Sequence, residues 1–189
     1  SLLVFWSTRA EGTEDMSAPP VSIEDFNAAL KEIGERYSKL KIDDLFVLWF
    51  LRAFITESEE TALHAVSGGA RDKGIDALLI DDDFKTVFIV QGKYHSTLGE
   101  KSEKRADEIS FAEVIHQLAD PDEKTFSEYV ESVEPLVKKQ LKLARERIHK
   151  RDYQVKMYFV TLGKVSEGIQ KDADTLAMKS DSKDLNFEV

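Results

Sequence analysis

Three polar residues interrupt an apolar stretch in the middle of the chain, and together they have the chemical types that a phosphodiester needs. The run GIDALLIDDDFKTVFIVQGKY, residues 74–94, puts Asp76 in one greasy segment and Gln91 and Lys93 at the end of another. Phosphodiester hydrolysis calls for a metal to polarise the phosphate and acidify a water, plus a cation near the developing charge. A carboxylate and an ammonium on strand faces cost on the order of several kcal/mol unless they are paired or bind something. The plain alternative is a strand-end salt bridge from Asp76 to Lys93 or Lys73, with Gln91 merely exposed.

Whether the three meet depends on the elements that carry them. Ile75 to Ile80 and Val87 to Val90 read as strands, and Asp81-Asp82-Asp83-Phe84-Lys85 between them has the polarity of a tight turn. Gln91 and Lys93 are two apart and so share a face. Pairing Ile80 with Val87 sets Leu78 against Ile89 and Asp76 against Gln91, with side chains about 5 Å apart and Lys93 on the diagonal. A slip of one residue would send Asp76 to the other face.

An Asp followed across a hairpin by Gln-x-Lys resembles the active-site pattern of the PD-(D/E)XK, or restriction-endonuclease-like, nucleases, in the variant where Gln replaces the second acid. The run Gly69-Ala-Arg-Asp72-Lys-Gly-Ile-Asp76, with Val90-Gln91-Gly92-Lys93-Tyr94, resembles the N-terminal domain of abortive infection phage resistance proteins. It is also similar to Mrr-like restriction enzymes. A second patch, Tyr158 to Ser166 with a helix after it, resembles the later strand and helix of that fold.

The resemblance implies an α/β domain with a central mixed β-sheet flanked by helices, acting as a metal-dependent DNA endonuclease in phage defence or restriction. Asp76 would anchor Mg²⁺ or Mn²⁺, Gln91 would offer its side-chain oxygen and Gly92 its backbone carbonyl. Lys93 would orient or deprotonate the attacking water. Replacing an acid by Gln leaves the cluster short of one negative charge, which this family usually takes from an early helix. Glu60, Asp72 and Asp44 are the candidates here, although the buried second helix offers no internal acid. Two rivals stay open: a catalytically degenerate nuclease fold serving binding or assembly, and an RNA-directed nuclease.

Composition bounds the reading. A chain of 189 residues suits one domain with a sizeable core. Residues 1–20 read as an arm and 21–189 as the nuclease-like domain, expected to be the N-terminal part of a longer protein with further C-terminal domains. Without Cys there is neither a disulfide framework nor a thiolate site, which fits a cytoplasmic protein. No apolar run approaches the roughly 20 residues of a membrane span. The net charge of −10 argues against a general nucleic-acid coat protein. It does not exclude a nuclease, whose basic contacts can be local, and a homodimer is left open.

Capping and spacing place the remaining elements. Ser22-Ile-Glu-Asp25 has capping-box form ahead of Phe26, Leu30, Ile33 and Tyr37 at helical spacing. Asp43 to Ile55 is apolar on most faces and should be buried. Thr56 to Glu59 looks like a helix start. Ala106 to Leu118 reads as a helix closed by Asp120-Pro121, and 123–150 as a helical region in which Pro135 starts a new helix or kinks the old one. Val155 to Leu162 is a strand, Ile169 to Ala177 a helix and Leu185 to Val189 the start of another strand. The one dense basic run includes Lys138, Lys139, Lys142 and Arg145. It could track phosphates, or form a solvated helix face. His64, His95, His116 and His149 lack metal-ligand spacing, and His95 and Gln117 flank the motif without an assigned role.

Overall fold

Seven consecutive buried side chains, Leu45 to Leu51, show how this chain commits itself to a layered fold. A helix apolar on every side cannot face water and must be sandwiched between other elements. In the structure, a computed structural model, residues 22–67, 74–172 and 187–188 are described. They form α1 (Ile23–Arg36), α2 (Ile42–Phe54), α3 (Glu59–Ala65), β1 (Ala77–Asp81), β2 (Thr86–Lys93), α4 (Arg105–Ala119), α5 (Glu123–Glu131), α6 (Pro135–Arg151), β3 (Gln154–Thr161) and β4 (Phe187–Glu188). Residues 167–172 are also helical. The expected arm at 1–20 lies outside the described residues.

The protein is a mixed α/β fold. Its sheet runs β1-β2-β3-β4, with β1 antiparallel to β2 and with β2, β3 and β4 parallel. Alternation along the strands divides the core in two. Ala77, Leu79, Val90 and Val160 pack with α1, α2 and α3 on one face. Leu78, Val87, Ile89, Val155 and Met157 pack with α4, α5 and α6 on the other. The aromatic load is concentrated in the first layer, where Phe26 sits edge-on to both Phe46 and Trp49.

Local signals account for most boundaries. The Ser22 hydroxyl accepts from the Asp25 N–H at 3.0 Å, as a capping residue should. The cap of α3 is Ser58 rather than Thr56, and its hydroxyl takes the Thr61 N–H. Pro135 starts a separate helix, α6, in which the Glu134 carboxylate caps the Leu136 and Val137 N–H groups. Its missing N–H costs nothing at a first helical position. Among the described residues no helix is long and apolar enough to cross a membrane.

Candidate functional site

The hairpin keeps the expected register from Ile80 to Leu78 but departs from it at Asp76, the rung on which the opposition to Gln91 depended. Ile80 pairs with Val87 and Leu78 with Ile89, and the ladder ends at Ala77 opposite Val90. The Asp76 N–H then bonds to the Val90 carbonyl at 2.9 Å, one residue out of step. Asp76 and Ala77 therefore both lie against Val90, the pattern of a β-bulge, which bends a strand and re-aims a side chain. The expected opposition of Asp76 and Gln91 is therefore not formed. The Asp76 backbone reaches Val90, while its Oδ2 accepts from the Gly92 N–H at 2.8 Å. Asp76, just ahead of β1, thus touches the backbone on both sides of Gln91. The Gly92 carbonyl leaves the strand on the same side as its N–H.

Gln91 is only 4% exposed, contrary to the plain alternative that left it on the surface. Its Oε1 is buried without a hydrogen-bond partner among the described residues. Leaving an acceptor so costs about 1–3 kcal/mol. Gly74 closes over the amide: at φ +81° it adopts a conformation that L side chains avoid, and a Cβ there would come within 2.7 Å of the Gln91 Nε2. On the opposite sheet face, a Cβ at Gly92 would stand 2.5 Å from the Val47 Cγ2, so glycine lets α2 seat directly beneath the motif.

Lys93 pairs with Asp107 at 3.3 Å rather than with Asp76. Asp107 lies in the first turn of α4, and sequence reasoning passed over it because nothing in its spacing ties it to β2. Beside it, Glu108 is buried with Oε2 unpartnered among the described residues. Burial, then the charge of Asp172, pushes its carboxyl up to about 7.

The remaining candidates are placed elsewhere or engaged otherwise. Asp44 caps α2, accepting the Lys41 N–H at 3.3 Å. Glu60 is exposed in the first turn of α3, within the layer on the opposite sheet face from Leu78 and Ile89. Asp72 lies outside the described residues. Of the basic run, Lys138 pairs with Glu131 at 2.6 Å, while Lys139 and Lys142 are exposed. Arg145 corrects the expectation of a phosphate contact. It is 7% exposed, donates to the Gln117 and Asp120 carbonyls, and lies over the Phe126 ring. Gln117 belongs to the same α4–α6 contact, away from the motif.

Among the described residues no group of three or more His, Asp or Glu side chains is placed to hold a metal ion. The donor set at the end of β2 is one carboxylate, one buried amide oxygen and a backbone carbonyl. Hard oxygens in that number suit a partly hydrated Mg²⁺ or Mn²⁺ rather than a cation caged wholly by protein. Comparison with protein-family models, with curated proteins and with solved structures finds no match to this chain.

Proposed function

We propose that the chain is a divalent-metal-dependent nuclease domain of the PD-(D/E)XK kind, with a restriction-endonuclease-like fold, that hydrolyses DNA in phage defence or restriction. The observation that carries this reading is the buried Gln91 Oε1, without a partner among the described residues, next in sequence to Gly92, whose N–H is taken by the Asp76 carboxylate. A fold tolerates an orphaned acceptor at a cost, and a cation ligand is a use that offsets it. Asp76, Gln91 and the Gly92 carbonyl would hold Mg²⁺ or Mn²⁺, which supplies phosphate polarisation and a water of lowered pKa when bound. Asp107 fixes the Lys93 ammonium at the strand end, where it would orient a non-bridging phosphate oxygen and offset the charge developing there.

The absence of a three-acid cluster among the described residues favours a second reading, a degenerate nuclease fold that serves binding or assembly. A plasmid-nicking time course in Mn²⁺, run alongside thermal melts, separates the two. Wild type should cleave, and Lys93→Ala should cleave about 10²- to 10⁴-fold more slowly while keeping its metal-dependent stabilisation. Asp76→Ala should lose both, and Gln91→Glu should tighten the metal. Equal cleavage by wild type and Lys93→Ala would overturn the site. Neither cleavage nor a metal-dependent melting shift would favour the scaffold. Replacing the plasmid by a labelled RNA tests the RNA-directed alternative.

A further inference from the structure

One cluster near the proposed site is not used by that reading. Glu103, in the loop before α4, has a side chain only 4% exposed. Its Oε1 accepts from the Thr161 hydroxyl and lies 2.7 Å from the His95 Nε2. Thr161 in turn takes the Gly163 N–H on its Oγ1 at 2.7 Å. A Cβ at Gly163 would collide with that same Glu103 oxygen and come within 2.7 Å of the Lys101 carbonyl, so only glycine leaves room for the cluster. The main chain holds Glu103 in place as well, through its N–H to the Lys164 carbonyl at 2.9 Å.

Position links this cluster to the motif. Thr161 is the register partner of Lys93 across the parallel β2–β3 pair, and His95 follows Lys93 by two residues. Carboxyl ends of neighbouring parallel strands are where open α/β sheets present their ligands. A carboxylate can only accept, so the His95 nitrogen facing Glu103 must carry a hydrogen. That fixes Nε2–H and leaves the lone pair of the neutral ring on Nδ1. The His95 side chain is 17% exposed, and its contact with Glu103 is made through Nε2 rather than through Nδ1.

We propose that His95 is the proton acceptor of the hydrolysis, with Glu103 as the residue that positions its ring. The inference rests on the nuclease reading and divides its labour: Lys93 handles charge, His95 handles the proton. Water's oxygen forms the new bond to phosphorus as its proton passes to the His95 Nδ1 lone pair. The bond from phosphorus to the leaving oxygen breaks with its electron pair, and that oxygen takes a proton from solvent. Buried Glu103 stabilises the imidazolium formed, as an orienting carboxylate does in other histidine-based sites. The charged neighbours are Glu103 itself, Lys93 with its partner Asp107, and Lys101 and Lys164 on the two loops joined to Glu103.

The test combines a pH–rate profile with imidazole nitrogen NMR of the full chain. Wild-type cleavage should rise with pH as the ring loses its proton and then level off. His95→Gln should lower the plateau by about 10²-fold or more and remove that limb. Glu103→Gln should cost about 10- to 100-fold, and its ring should no longer favour one tautomer. In wild type the spectrum should show protonated Nε2 and unprotonated Nδ1 in the neutral ring. The opposite tautomer overturns the proposal, and so does a His95→Gln profile identical to wild type. That second result leaves the nuclease reading intact as long as Lys93→Ala cleaves about 10²- to 10⁴-fold more slowly than wild type. If wild type does not cleave, the reading fails and takes the role of His95 with it. The spectrum then still reports whether Glu103 orients the ring.

Discussion

At the carboxyl end of β2 a buried amide oxygen has no partner among the described residues, while on α6 a buried guanidinium has four. Arg145 bonds two carbonyls, pairs with Glu123 at 3.4 Å and covers the Phe126 ring at 4.6 Å. Two residues on, Arg147 pairs with Asp82 at 3.1 Å and stands over the Tyr153 ring. The basic helix thus spends its arginines joining α4, α5 and the hairpin turn. At the motif Lys93 pairs with Asp107 and Asp76 takes the Gly92 N–H, while the Gln91 Oε1 has no partner among the described residues. Density of positive charge is therefore a poor guide to where this chain would meet a phosphate.

The contrast breaks most visibly at Arg145. Arg145→Ala should strand the Gln117 and Asp120 carbonyls and destabilise the fold by about 3 kcal/mol, read as a lower urea midpoint. The salt slope of any DNA binding should stay unchanged. A flatter slope with unaltered stability would return this residue to the nucleic-acid surface.

Gln91→Leu sharpens the contrast from the other side. Removing an unsatisfied acceptor while keeping apolar volume should leave stability unchanged or raise it by about 1 kcal/mol, and should remove the response of the melt to Mn²⁺. A large loss of stability would mean that Gln91 is structural.

The smallest effect is expected at the hairpin turn. The Tyr153 hydroxyl, first among its partners, holds the Asp82 carboxyl below its usual range. A depressed carboxyl stabilises the folded state above its unfolded pKa, and that contribution is lost as pH falls through the folded pKa. Tyr153→Phe should therefore lower the urea midpoint slightly at neutrality, by a difference that disappears as pH falls through the folded pKa of Asp82. Equal midpoints at neutrality would show that Arg147 and Arg151 hold Asp82 without Tyr153.

How much of this was legible beforehand differs by region. The burial of α2 follows from seven consecutive apolar residues, and the hairpin register from Ile80 to Leu78 from the parity of Asp76, Gln91 and Lys93. Pro135 and Glu134 announce the start of α6 by their types alone. The bulge at Asp76 was not legible: it is a choice among hydrogen-bond acceptors within one rung, and the residue string is the same either way. Arg145 misled because the basic run groups it with Lys139 and Lys142, which are exposed, whereas it shares the buried face of α6 with Leu141, Ala144 and Ile148. Glu103 and Asp107 lie in a polar stretch with no motif, and they reach β2 only through the loop geometry that follows it. Gly163, tight against Glu103, carried a signal that becomes readable once the fold is known.

The most direct test of the account is where a cation binds. Crystals soaked in Mn²⁺ and measured at its absorption edge should give an anomalous peak within about 2.0–2.3 Å of the Gln91 Oε1 and of an Asp76 carboxylate oxygen, with waters completing the shell. A peak confined to the Asp81–Asp83 turn, or none at a concentration that supports cleavage, would contradict it.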